Sequence, residues 1–297
     1  MRLLKVESNG AVSLTKDLTS DIPPYAILSH TWGDDDDEVT FKDLTDGSGK
    51  MKRGYDKIKF CAVQAKIDGL RYIWIDTCCI NKSDSVELSE AIISMFRWYR
   101  EAAKCYVYLA DVPKPAQDPT AQLWVSDFRK SRWFKRGWTL QELIAPSVIE
   151  FFSAECQLLG SRDQLEQLIH EITGIAVKAL QGHALANFSI AERLSWAESR
   201  DTKRKEDKAY SLLGIFNVNM LPMYGEGMEN AFRRLHEEIG KRWGSIPEGK
   251  SLSAMACYKL IAGDAKGFYL ISYRMPPKHP SMLTSDNTTP PASLKPV

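Results

Sequence analysis

The chain has 297 residues, 39 Lys plus Arg against 38 Asp plus Glu, a net charge of +1, 44% hydrophobic and 26% charged residues. That balance fits a globular protein with room for one large domain or a domain with an extension. It gives no global field that would favour nucleic acid or an anionic membrane. No run approaches 18 apolar residues, so no transmembrane helix is expected. Lys5 and Glu7 interrupt the apolar start, so a secretory leader is not expected either, and the expected location is cytoplasmic.

The first elements alternate in type. Tyr25–Ser29 (YAILS) is a short apolar run after Pro23-Pro24, followed by His-Thr-Trp-Gly and an acidic loop. Between Tyr55 and Leu70, the residues Ile58, Cys61, Ala62 and Ala65 fall on one helical face. Tyr72–Asp76 (YIWID) is too short and apolar for a helix and reads as a buried strand. Asp84 with Glu87 then forms a capping-box pattern before a helical stripe from Leu88 to Tyr99. Cys105–Leu109 and Val148–Phe152 are the next strands, separated by a segment whose end, in SRWFKRGWTLQELIA, is helical. This alternation predicts an α/β fold with a parallel sheet and helices on both faces over residues 1–160. From Ser161 to residue 244 the pattern becomes helical. Ser161/Gln164 and Ser189/Glu192 are capping pairs, and helices are expected over Asp207–Phe216 and Met228–Trp243. Residues 245–297 hold seven of the 14 prolines and no tryptophan, which predicts a largely disordered tail.

Ligands of an open parallel sheet bind beyond the carboxyl ends of its strands. Those ends carry Ser29, His30, Trp32 and Gly33 after the first strand and Asp76, Cys79 and Asn81 after the second; the third ends at Asp111. Arg129–Arg136 holds five basic residues in eight, of which Arg132 or Arg136 is a candidate phosphate clamp. Trp138 and Glu142, four apart, share a helical face beside it. The same residues also suit turns and a solvated basic face. No GxGxxG, GxxxxGK[ST] or GxSxG occurs, and the six cysteines form no CxxC, so dinucleotide-fold, P-loop, hydrolase and zinc-site readings are disfavoured. The cysteines read as mostly buried reduced thiols.

Five stretches resemble the fungal heterokaryon-incompatibility (HET) domain, over roughly residues 1–244. They are YAILSHTWG at Tyr25–Gly33, YIWIDTCCINK at Tyr72–Lys82, SRWFKRGWTLQEL at Ser131–Leu143, EDKAYSLLGIF at Glu206–Phe216 and YGEG at Tyr224–Gly227. That domain is in turn similar to Toll/interleukin-receptor (TIR) domains, whose Trp-x-x-x-Glu matches Trp138–Glu142. The resemblance implies a TIR-like, flavodoxin-like sheet with an α-helical C-terminal extension that has no TIR counterpart. It also implies a cell-death effector that cleaves NAD to nicotinamide and ADP-ribose.

By that resemblance Glu142 is the catalytic candidate. Ser29, His30, Trp32, Gly33, Asp76, Cys79, Asn81, Arg132 and Trp138 are the substrate-lining candidates. NAD is a substrate, and no cofactor or metal is implied. The expected partners are further copies of the chain in an active homo-oligomer and a separate nucleotide-binding regulatory protein, with no nucleic acid and no membrane. The alternative function is a non-enzymatic TIR-like assembly module in non-self recognition.

Overall fold

Four strands whose residues are almost all withdrawn from water set the frame. The computed structural model describes residues 1–113 and 123–243, and the expectation of a disordered tail over 245–297 lies outside the described residues. Strand β3 (Ala26–His30) is buried at every position, as a strand covered on both faces must be. It pairs in parallel with β4 (Tyr72–Trp74) on one side and β5 (Lys104–Tyr108) on the other, and β5 pairs in parallel with β6 (Ile149–Phe152). In chain order this centre runs second, first, third, fourth, so the chain reverses its direction of winding between β3 and β5. Ligand crevices of doubly wound sheets open at that reversal.

The sheet is mixed, not wholly parallel. Strands β1 (Leu4–Val6), β2 (Val12–Leu14) and β7 (Leu158–Ser161) add antiparallel pairs, giving the order β2-β1-β4-β3-β5-β6-β7. These outer strands have three or four residues each and carry polar positions such as Lys5 and Ser13. Short, polar strands of this kind suit sheet edges. The β1–β2 hairpin turns at Asn9-Gly10, where Gly10 takes φ +82° and Glu7 and Ala11 share a backbone hydrogen bond.

Helices cover both faces. On one, Phe60 of the Tyr55–Ile67 helix packs edge-on against Tyr106 and Phe152. On the other, Trp98 and Tyr99 of the Ser85–Glu101 helix pack on Trp74, while Trp133 and Phe128 pack on Phe151. Asp84 caps the Ser85–Glu101 helix by accepting from Val86 and Glu87 N–H, but the Glu87 carboxylate turns to Arg2 and to Asn81 N–H instead of closing the box. Helices follow from Glu166 to Trp243, with the expected Asp207–Phe216 helix split into Asp207–Tyr210 and Leu213–Phe216.

These later helices join the same compact unit as the sheet. At Gly214 an added Cβ would overlap the Phe96 ring, so the Leu213–Phe216 turn lies directly on the Ser85–Glu101 helix. Fully buried Arg200 donates to Arg136 O at 2.9 Å and to Thr139 Oγ1 at 2.8 Å, tying the later segment to the Trp138–Glu142 turn. Cys61, Cys78, Cys79 and Cys105 are buried free thiols, whereas Cys156 is exposed in the β6–β7 turn. No helix among the described residues is long and apolar enough to cross a membrane.

Candidate active site

Alternation along β3 presents two neighbouring residues to two different carboxylates. Ser29 is fully buried on the face covered by Trp133 and the Thr139–Ile144 helix. Its hydroxyl donates to Glu142 Oε2 and accepts from Trp133 Nε1 at 2.8 Å. His30, the next residue, places Nε2 3.1 Å from Asp76 Oδ1. Asp76 opens a short helical turn after β4 and also accepts from Trp32 Nε1 at 3.1 Å and Lys82 Nζ at 3.2 Å.

The two carboxylates are driven in opposite directions. Burial raises the Glu142 pKa from 4.5 to about 7, with Asp76 nearby adding to the rise; the Ser29 hydrogen bond, Arg136 and Tyr99 act against it. Burial also disfavours the Asp76 charge. There the Lys82 ammonium and the His30 hydrogen bond win, and the carboxyl lies well below its usual range. Asp76 is thus fixed as an anion, while Glu142 is poised to exchange a proton near neutrality.

Both carboxylates line a cavity of about 270 Å³ beyond the strand ends. His30, Trp32 and Trp138 line it as well, and Lys82 stands 3.9 Å above the Trp32 ring. Among the described residues no group of three His, Cys, Asp or Glu side chains could hold a metal ion.

Four of the expected lining residues stand elsewhere. Arg132 is 68% exposed and faces Asp111, because its 3-10 turn (Arg132–Lys135) directs Trp133 inward; Arg136 lines the cavity instead. Cys79 is buried below β4, where its Sγ accepts from Ile75 N–H and it borders a separate, smaller hollow near Met1. Asn81 accepts from Ser83 in a turn, and Gly33 donates its N–H to Glu38 at the acidic loop. Ser29 is a fifth, reaching the cavity only through its hydrogen bond to Glu142.

Another part of the wall comes from residues beyond 200. Asp207 and Tyr224 line the cavity, with Tyr224 Oη donating to Asp207 Oδ1 at 2.8 Å. Burial raises the Asp207 pKa against hydrogen bonds from Tyr224 and Trp138. Arg204 lies 4.0 Å from the Tyr224 ring centre. Asp207 and Tyr224 fall inside the EDKAYSLLGIF and YGEG stretches, so a signal was present in the sequence, though it named no role.

Residues 25–123 match the family model described as heterokaryon incompatibility protein (HET). The chain is also 55% identical over 250 residues to the vegetative incompatibility protein HET-E-1 of Podospora anserina. The chain carries a heterokaryon-incompatibility (HET) domain. The alignment covers 84% of the chain but 18% of HET-E-1, so the chain spans under a fifth of that relative. It therefore includes the cavity wall beyond residue 123 that the family model leaves out. No solved structure matches this HET domain.

Proposed function

We propose that this HET domain is an incompatibility effector with a TIR-like sheet, and that it cleaves NAD to nicotinamide and ADP-ribose with Glu142 as the catalytic carboxylate. The observation that carries the reading is a buried Glu142, pKa near 7, at the bottom of a cavity ringed by Trp32, Tyr99, Trp138 and Tyr224. Aromatic faces suit the flat rings of NAD, and a buried carboxylate suits a reaction that develops positive charge.

The step itself asks for little. The bond between ribose C1′ and the nicotinamide nitrogen breaks, its electron pair leaves with the pyridine, and the ribose becomes oxocarbenium-like. Nicotinamide departs neutral from a cationic ring, so no general acid is needed. Ionised Glu142 stabilises the ribosyl cation and takes the proton of the attacking water. The cationic nicotinamide ring favours the ionised form of Glu142 on binding, which adjusts the carboxylate to its role.

Self-association enters the proposal as the activating event, with cell death in incompatibility as the consequence. The test is incubation of concentrated protein with NAD and chromatography for nicotinamide. Glu142→Gln preserves shape and removes charge, and should slow release by roughly 10²-fold or more. Absence of nicotinamide from the unaltered protein at all concentrations, with cell killing intact, would support the assembly-module alternative.

A further inference from the structure

Most charges around the cavity are spent on one another. Lys82 pairs with Asp76, and Lys203 with Asp35 at the rim. Arg136 and Arg204 differ: both line the cavity, and among the described residues neither reaches a carboxylate at ion-pair distance, Arg136 acting on Glu142 and Arg204 on Asp207 and Glu206 only at longer range. Each guanidinium instead lies by an aromatic ring, Arg136 by Trp32 at 5.3 Å and Arg204 by Tyr224 at 4.0 Å. A cation–π contact of this kind holds the guanidinium beside the ring without using up its N–H donors.

Their positions are also fixed before any ligand arrives. Arg136 and Asp201 form a parallel β-bridge, in which Gly137 N–H donates to Asp201 O at 2.8 Å and Asp201 N–H to Lys135 O at 2.6 Å. The chain then reaches Arg204 within three residues. Thr202 Oγ1 donates to Arg204 O at 2.6 Å, and the Glu206 carboxylate accepts from Gly225 and Gly227 N–H, which holds that loop against the Tyr224 turn. At Gly137 an added Cβ would overlap Thr202, so the two arginine-bearing segments touch. Two like charges held on paired segments at one cavity form a preorganised site for an anion with more than one charge.

We infer that Arg136 and Arg204 form a diphosphate clamp, so that the cavity takes pyrophosphate-bearing dinucleotides in preference to nucleosides. The inference rests on the NAD reading for the rest of the ligand, but the clamp is testable by binding alone. Arg204 comes from the segment after residue 161, so that segment would supply half of the ligand's charge recognition.

The experiment is calorimetric titration of the whole chain with ADP-ribose, inorganic pyrophosphate and adenosine. Arg136→Met and Arg204→Met should each weaken ADP-ribose and pyrophosphate by about tenfold, and Arg204→Lys, which keeps the charge but not the planar fork, should recover only part of that loss. Arg233→Met, an exposed change on the Met228–Trp243 helix, should alter nothing. Adenosine, which has no phosphate, should respond equally weakly to the unaltered protein and to both variants. Melting temperatures within a few degrees of the unaltered chain establish that each variant is folded. Failure of the unaltered protein to bind both ADP-ribose and pyrophosphate, or equal affinity of the Met variants for them, would overturn the clamp. Diphosphate binding that depends on both arginines, without any release of nicotinamide from NAD, would uphold the clamp and overturn the hydrolase reading.

Discussion

The part of the cavity lining at the strand ends, its floor, and the wall supplied by residues beyond 200 follow different rules. On the floor both carboxylates are committed: Ser29 links Trp133 to Glu142, and Asp76 holds His30, Trp32 and Lys82 together. On the wall beyond residue 200 the Arg204 guanidinium touches no carboxylate at ion-pair distance among the described residues, acting on Asp207 and Glu206 only from farther away, and Asp207 accepts hydrogen bonds from the neutral Tyr224 and Trp138. A committed, dry floor can set a pKa and hold it, because nothing there moves to relax the field. A wall with free donors can meet a ligand without first breaking its own bonds. On the proposed reading the difference separates Glu142, on the short helix packed against the strand ends, from Arg204, in the loop that precedes the Asp207–Tyr210 helix.

The largest stability effect tests the floor. Glu142 is protonated in both folded and unfolded chains below pH 4.5, where it costs nothing. Between pH 4.5 and about 7 only the unfolded chain ionises it, so stability falls as pH rises and the loss is complete above the folded pKa. Glu142→Gln removes that loss, and should stabilise the chain by up to about 3 kcal/mol at pH 8 with little change at pH 4. Urea unfolding at the two pH values checks it. A variant less stable than the parent at pH 8 would mean that the carboxylate is not held against its own ionisation.

A smaller effect tests the joint between floor and wall. Arg200 is fully buried and donates to Trp196 O as well as to Arg136 O and Thr139 Oγ1. Its burial pulls its pKa down to about 10, a shift resisted by Glu142. Arg200→Met should cost roughly 2–3 kcal/mol, from carbonyls left without a donor. It should also shift the Glu142 titration upward, since a nearby positive charge is lost. A stability loss without that shift would make Arg200 a structural staple alone.

How much of this was legible depends on range. The short apolar runs YAILS, YIWID, CYVYL and VIEFF are local signals, and they located all four parallel strands within a residue or two. Glu142 was likewise legible, because a carboxylate one helical turn from a tryptophan is a local pattern. The antiparallel strands at that end of the sheet were not, since Leu4–Val6 and Val12–Leu14 have too few residues to show a period. Their one local sign was Asn9-Gly10, a hairpin pair. Arg132 was preferred over Arg136 because the sequence does not show that a 3-10 turn would direct Trp133 inward and leave Arg132 outside. Asp207, Tyr224 and Arg204 reach the cavity only through long-range packing, such as the close approach at Gly214. No local spacing reports a contact between residues as far apart in the chain as Phe96 and Gly214.

The smallest effect is expected at the rim. Lys203 and Asp35 pair across the mouth, yet their side chains are 64% and 73% exposed. Water and salt screen such a pair, so Asp35→Asn should leave the melting temperature unchanged within error. A clear loss would make the mouth a structural clasp and blur the distinction between floor and wall.

The central claim is that the buried carboxylate performs the chemistry in its ionised form, and the pH dependence of nicotinamide release tests it most directly. For the unaltered chain, kcat/KM for NAD should rise with pH through a single limb near 7, the Glu142 value in the free protein, while kcat rises at lower pH because the bound cationic ring favours the anion. Glu142→Gln should show neither limb, at a rate roughly 10²-fold lower. A profile from the unaltered protein that is flat from pH 5 to 9, or a limb near 7 that persists in folded Glu142→Gln, would contradict the account.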